Sequence, residues 1–484
     1  MLGRRLAARQ QWVSKTDLSR WYRCAYAFWL LESGQISFEE TICPFQMSLI
    51  QAGQDYQELV KQSATPIAIS PADLPALLES NVTILGTPLF ENKKLKLRGC
   101  PDGIDAASGA LYPIEIKSHR APTHLDRLEL AFYWLLLQPH RTRPVPPAGV
   151  LILRRDGKPV RVDVPVTSAL LDEVRQMIGQ VRSARKNGVL PRVCGCPVCS
   201  SARRDEVIQS VTERKDVSMI LGVGRVYSTA LEAAGYPTWD TLTDCDPHAV
   251  ALAVTEAGAK GCGPAKVADW QLHARALASG LPEFRPGTRW PVTGPYLAVD
   301  LEYDVTPGKD HIWLVAAAVI HADGADHHSW WADTPQQERD ALTGLAALLD
   351  QHAGLRVVTW AGGAADVPRL RAAAARHEMP GLAAAITGRH FDAWLWAHHS
   401  LRLPTFTMGL KEVSGYLGFR PCTDVADGLD AILRYHAWLA SKDETIRTQL
   451  TAYNRDDIDA LAHTIRRLRD LARQAAAPEM TVSR

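Results

Sequence analysis

The sequence predicts a multidomain α/β protein, and three observations predict it. The chain has 484 residues, 46% of them hydrophobic and 22% charged, an ordinary globular balance with enough apolar material for several cores. A segment rich in proline and glycine, PEFRPGTRWPVTGP at 282–295, cannot continue a helix or a central strand and reads as a connector. Beyond it, three apolar β-type runs precede alternating helical and strand patterns, the order of an α/β domain with a mixed sheet. A second transition falls in the polar stretch 205–215. The two breaks divide the chain into three expected parts, 1–210, 211–285 and 290–476.

Lys and Arg number 54 against 53 Asp and Glu, for a formal net charge of +1. That total argues against a protein that coats DNA through bulk charge, yet it conceals segregation. Residues 1–23 hold six Lys/Arg and one acid, and residues 181–204 hold six and none. The longest apolar runs, 130–137 and 312–320, fall short of the ~18 residues of a membrane span. The opening MLGRRLAARQQW has no apolar stretch of the kind a secretory signal needs. A cytoplasmic protein without a membrane partner is therefore expected. Nine cysteines in this length make no disulfide scaffold.

In the first part, helical patterns come early. Strand-like runs follow at 82–90, 95–98, 111–116 and 150–153, with helices over 124–137 and 169–187. The middle part reads as short helices joined by glycine turns. The last part opens with strands at 296–302, 311–320 and 329–333. A helix near 336–352, a strand at 356–360 and further helices follow.

The strand LAVDLE places Asp300 and Glu302 at spacing two, on one sheet face. Paired carboxylates repel unless a cation lies between them, and hard oxygen donors suit Mg²⁺ or Mn²⁺. Asp366 follows the apolar strand VVTW and a glycine turn and opens a helix. Tyr453 and Asp457, four apart in a helical stretch, share one face. Four carboxylates and a phenol in this order can hold two metal ions, one activating water and one stabilising the leaving oxygen. These residues resemble the DEDD (DnaQ-like) 3′–5′ exonuclease family. Its D-x-E motif matches Asp300 and Glu302, its second motif matches Asp366, and its Y-x-x-x-D motif matches Tyr453 and Asp457. The usual Asn before the second Asp is replaced within AGGAAD. The resemblance spans 296–465 and implies a ribonuclease H-like α/β fold with a mixed sheet.

In the first part, Asp102 precedes a turn, and Glu115 and Lys117 share a face of the strand ending in PIEIK. A carboxylate pair could coordinate one divalent ion, and a lysine could position water or stabilise charge on phosphate. The order Asp, strand, Glu-x-Lys, helix resembles the PD-(D/E)XK nuclease superfamily, in particular its RecB-like branch, with a restriction-endonuclease-like α/β core. The helix RLELAFYWLLL resembles that branch's Q-x-x-x-Y motif. Tyr133 matches, while Glu129 stands at the Gln position. The metal ligand expected in an early helix falls in GQDYQELV, where Tyr56 or Gln57 stands with Glu58 next.

Cys194, Cys196 and Cys199 lie within six residues, a pattern of metal or iron–sulfur ligation. With Cys24, they resemble the layout of RecB-like nucleases that carry a [4Fe–4S] cluster, while Zn²⁺ is the physical alternative. In the middle part, Gly222-Val223-Gly224 and Gly261-Cys262-Gly263 each precede a helix, where backbone N–H groups can meet a phosphate. The surrounding DVSMILGVGRVYSTALEAAGYPTWDTL resembles a helix-hairpin-helix element, which implies contact with the DNA backbone and makes this part a small all-α module.

Taken whole, the chain resembles RecB-like nucleases fused to a ribonuclease H-like domain. That implies a metal-dependent nuclease acting on DNA, in repair, recombination or foreign-DNA processing, with a helicase or other repair protein as partner. An RNA-processing exonuclease and a non-catalytic DNA-binding scaffold remain the alternatives.

Overall fold

The computed structural model describes residues 12–39, 44–63, 78–140, 143–155, 157–187, 204–305 and 311–476. The chain forms two compact units, residues 1–207 and 208–484.

In the N-terminal unit, β1 (Val13–Ser14) leads into α1 (Lys15–Arg23), α2 (Ala25–Glu32) and α3 (Pro44–Ser63). Then come β2 (Thr83–Leu85), β3 (Phe90–Asn92), β4 (Leu97–Gly99), β5 (Gly103–Asp105) and β6 (Tyr112–Lys117). Helix α4 (His124–Leu137), β7 (Ala148–Arg155), β8 (Lys158–Pro165) and α5 (Ser168–Asn187) complete it. Ser14 caps α1 through a capping box with Asp17, and Thr123 caps α4 likewise with Asp126; each satisfies N–H groups that the first turn leaves open. The main sheet runs β2-β5-β6-β7-β8. Strands β6 and β7 are parallel, and parallel neighbours need a crossover, which α4 supplies. The run expected as one strand at 82–90 is two, β2 and β3, in different sheets. Gly86 in the left-handed region (φ +79°) and Pro88 break it.

Helix α6 (Arg204–Glu213) carries the chain out of this unit. The C-terminal unit, which begins within α6, continues with α7 (Arg225–Ala233), α8 (Pro247–Glu256) and α9 (Pro264–Ser279). The connector at 282–295 contains β9 (Glu283–Phe284), which pairs with β15 (Leu401–Arg402). Strands β10 (Tyr296–Asp304), β11 (His311–Ile320), β12 (Ala325–Trp331), β13 (Val357–Thr359) and β14 (His390–Asp392) form the sheet β12-β11-β10-β13-β14. The first three are antiparallel, whereas β13 and β14 run parallel to β10. The mixed sheet is as expected. Its third strand starts four residues earlier than the expected 329–333, because all of ADHHSWW pairs with β11. An edge strand with a wet face carries no apolar signal along half its length.

Around this sheet lie α10 (Pro335–Gln351), α11 (Asp366–Arg376), α12 (Pro380–Arg389), α13 (Ala393–Ser400), α14 (Leu410–Tyr416), α15 (Gly428–Ser441) and α16 (Glu444–Ala476). Alternation along β10 sets what each face meets. Leu297, Val299 and Leu301 pack with Leu342, Leu345, Leu349 and Leu370 of α10 and α11. Ala298, with Ala316 and Ala318 of β11, packs against Ile458, Leu461, Ala462 and Ile465 of α16. Each large side chain buried there contributes roughly 1.5–3 kcal/mol, and the small alanines opposite leave room for the helix. Among the described residues, no helix is long and apolar enough to cross a membrane.

Candidate active site

Asp300 and Glu302 continue the face of β10 that starts at Ala298, so they point toward α16. Asp300 sits opposite Ala316 and Glu302 opposite Leu314, and a register shift follows between Glu302 and Tyr303. On α16, Asp457 and Tyr453 lie about one turn and two turns before Leu461, on the stripe that faces the sheet. One ligand oxygen each from Asp300, Glu302 and Asp457 lies within 4.8 Å of the others. Among the described residues, no second trio of His, Cys, Asp or Glu comes together in this way.

Asp366 approaches from the end of β13. Its loop depends on Gly362, since a Cβ there would lie 2.4 Å from Thr359 Oγ1 and 2.9 Å from Asp366 Oδ2. Asp392 accepts the backbone N–H groups of Ala361 (3.0 Å) and Gly363 (2.9 Å), fixing the turn that the substituted AGGAAD sequence forms.

Electrostatics show what this donor set suits. Burial, together with Glu302, Asp457 and Asp366, raises the Asp300 pKa well above the carboxylate range. Burial and the neighbouring acids do the same to Glu302. Asp366 rises to about 7 through burial and Asp392, and Asp457 to about 6 through burial. Buried like charges favour protonation, and a divalent cation held by oxygen donors removes the same cost. The donor set therefore fits Mg²⁺ or Mn²⁺.

Two residues beside the predicted set belong to the site. Asn454 is 1% exposed and donates from Nδ2 to Asp300 Oδ2 at 2.6 Å. Lys411 places its ammonium 4.3 Å from the centre of the Tyr453 ring, and its charge favours the ionised forms of Glu302 and Asp457. Burial with three nearby acids, Glu302, Asp457 and Asp300, raises the Tyr453 pKa far above the phenol range. No sequence signal singles out Asn454. Lys411 falls inside the stretch between the second and third motifs, which resemblance covers without naming it.

With that geometry in place, the comparison is specific: residues 297–469 match the family model of the RNase H superfamily. The C-terminal domain is RNase H-like. An RNase H-like domain suggests a nuclease-type activity and implies nucleic-acid binding. Comparison with curated proteins finds no match for the chain.

The second predicted constellation is built differently. Asp102 accepts from Ile116 N at 2.9 Å, and burial together with Glu115 lifts its pKa to about 6. Glu115 is fully buried. One oxygen, Oε1, takes Lys15 Nζ at 2.6 Å and Lys117 Nζ at 2.8 Å. Lys117 also reaches Glu129 at 2.6 Å, and Ser19 donates to Glu129 at 2.6 Å. Gln57 points inward, to Asp102 Oδ2 (3.4 Å) and Ile116 O (3.1 Å), whereas Glu58 is exposed and pairs with Lys61 at 3.5 Å. Tyr133 donates to Cys100 O at 2.9 Å. Lys15, Ser19 and Lys61 are the members that sequence reading missed.

In the middle module, Gly222 and Gly261 adopt left-handed backbone (φ +79° and +72°), and Gly224 and Gly263 cap α7 and α9 without a side-chain bond. Tyr227 brings the two turns together. Its hydroxyl donates to Lys260 O (3.0 Å) and accepts from Lys266 Nζ (2.9 Å). Cys24 is buried at the N-cap of α2, where Sγ accepts from Ala27 N at 3.3 Å. Cys194, Cys196 and Cys199 lie outside the described residues.

Proposed function

We propose that the protein is a metal-dependent nuclease that hydrolyses DNA phosphodiester bonds, with a 3′–5′ exonuclease site in its RNase H-like domain. The observation that carries this reading is the convergence of Asp300, Glu302 and Asp457 within 4.8 Å, with Tyr453 one helical turn before Asp457 on α16. Asp300, Glu302, Asp366 and Asp457 would hold Mg²⁺ or Mn²⁺, which when bound supplies an activated water and stabilises the leaving oxygen. Asn454 keeps Asp300 oriented. The Tyr453 hydroxyl would orient the attacking water, and its raised pKa keeps it protonated throughout the working pH range. Lys411 adds positive charge beside the acids, where a phosphate must approach.

The paired glycine turns of the middle module support a nucleic-acid substrate, because their helix N-termini can receive backbone phosphates without reading sequence, and the helix-hairpin-helix resemblance is what favours DNA. The RecB-like reading of the N-terminal unit rests on Asp102, Glu115, Lys117 and Tyr133 and adds a second candidate centre. A [4Fe–4S] cluster or Zn²⁺ at Cys24, Cys194, Cys196 and Cys199 would support that unit, and an anaerobic absorbance spectrum with metal analysis distinguishes the two. Repair, recombination or foreign-DNA processing is the setting this reading implies. The test is cleavage of 3′- and 5′-labelled DNA and RNA with Mn²⁺ or Mg²⁺. Shortening of DNA from the 3′ end, abolished by Asp300→Ala, is expected. RNA shortened in preference to DNA would reassign the substrate, and no cleavage of either polymer would overturn the nuclease reading.

A further inference from the structure

The N-terminal constellation carries its own counter-ions. Asp102, Glu115 and Glu129 face the ammoniums of Lys15, Lys61 and Lys117, at 3.7 Å for Lys61 to Asp102 and 2.6–2.8 Å for the bonds to Glu115 and Glu129. The formal charge of the group is zero. The RNase H-like site is the opposite case, where four acids crowd together. The position at which the RecB-like resemblance expects a further ligand holds Gln57, a neutral side chain already bonded to Asp102 and Ile116. These residues do not fit a resident divalent cation.

Lys15 is the decisive member. It occupies the first turn of α1, whose start is fixed by the Ser14–Asp17 capping box, so its side chain is delivered to a set place. Its ammonium lies 2.6 Å from Glu115 Oε1, 4.0 Å from Glu129 Oε2 and 5.8 Å from the Tyr133 ring centre. Glu115 Oε2 is buried and has no hydrogen-bond partner. Glu115 thus spends one oxygen on two lysines and leaves the other bare. Removing one of two cations from a buried carboxylate leaves a strong attraction for another cation.

We propose that the Lys15 ammonium stands in for the divalent cation at Asp102 and Glu115, so that the N-terminal centre excludes the metal until Lys15 is displaced. The 2.6 Å ion pair with Glu115, with Glu129 Oε2 at 4.0 Å, holds the ammonium in that place. The inference rests on the RecB-like reading only in taking Asp102 and Glu115 as the cation ligands.

The test is Mn²⁺ binding by titration calorimetry in the full chain, with Asp300→Ala and Glu302→Ala combined to silence the RNase H-like site. In that background, Lys15→Met is expected to raise Mn²⁺ affinity by about tenfold or more, and adding Asp102→Asn is expected to remove the gain. Lys15→Gln, closer in polarity, repeats the measurement should the Met variant fold poorly. Tight Mn²⁺ binding in the background that depends on Asp102 and is unchanged by Lys15→Met or Lys15→Gln would overturn the role of Lys15 while keeping the cation site. No Mn²⁺ bound by either lysine variant would overturn the cation site and the proposal with it.

Discussion

Asn454 donates a 2.6 Å hydrogen bond to Asp300 across 154 residues of sequence, tying the long C-terminal helix to the central strand at the carboxylate cluster. Partners that orient a metal ligand typically matter by about 10–100-fold in metal affinity or activity. Asn454→Ala is expected to lower Mn²⁺ affinity and kcat within that range while the fold persists. Asn454→Asp, which adds an acid to the crowd, is expected to be the worse of the two. Calorimetry and steady-state cleavage on the same preparations check both.

Tyr453 is 4% exposed and packs with Trp313, Tyr435 and Trp438, so Tyr453→Phe keeps the packing and removes the hydroxyl. If that hydroxyl orients the attacking water, kcat falls by about 100-fold while KM changes little. An unchanged kcat would assign the tyrosine to packing alone.

Asp300→Asn separates function from stability. It removes one charge from four crowded acids and retains an acceptor for Asn454. Without added metal, the variant is expected to be more stable than wild type, by ~1–2 kcal/mol. Cleavage is expected to fall by about 10³-fold. Mg²⁺ or Mn²⁺ should raise the melting temperature of wild type and leave that of Asp300→Asn nearly unmoved. Thermal shift with and without EDTA reads both effects.

Arg402, 1% exposed, reaches Asp269 Oδ1 and Oδ2 at 2.5 and 2.7 Å, and Arg285 binds the same carboxylate. Asp269 joins α9 to the β9–β15 ribbon. Asp269→Ala leaves Arg402 buried and unpaired, a change that costs about 3–5 kcal/mol. Urea unfolding of the full chain should show that loss in the transition of the C-terminal unit.

His273 is fully buried, and its Nδ1 accepts from Leu221 N at 2.8 Å. Burial, then the Arg402 charge, depress its pKa from 6.5 to about 4. The unfolded chain binds a proton below pH 6.5 that the folded unit refuses until about pH 4. The stability due to neutral His273 is complete above pH 6.5 and declines as pH falls toward 4, by up to about 3 kcal/mol. The crowded carboxylates titrate in the opposite sense, so the informative quantity is a difference. Relative to His273→Gln, wild type should lose stability across this window in a urea series.

The mixed sheet of the C-terminal domain was legible because its signals are local. Spacing two in LAVDLE puts Asp300 and Glu302 on one face, and spacing four puts Tyr453 and Asp457 on one stripe. The edge strand β12 was half missed because one face meets water. Lys15 read only as part of a basic run, and nothing within ten residues of it mentions Glu115. Tyr56 and Gln57 are the candidates for one position, with Glu58 next to them. Only the rotation of α3 decided that Gln57 points in and Glu58 out.

The sequence by itself determined the side-chain chemistry, the order of motifs and the period that groups residues on each element, since these depend on neighbours a few bonds away. The tertiary structure alone decided which faces meet. It laid α16 over the Asp300 face of β10 because the alanines of β10 and β11 admit Ile458, Leu461 and Ile465. It also brought Lys15 to Glu115, 100 residues distant. Crowded acids in one unit and neutralised acids in the other follow from that placement. Electrostatic energy depends on separation and burial, and neither is a property of residue order.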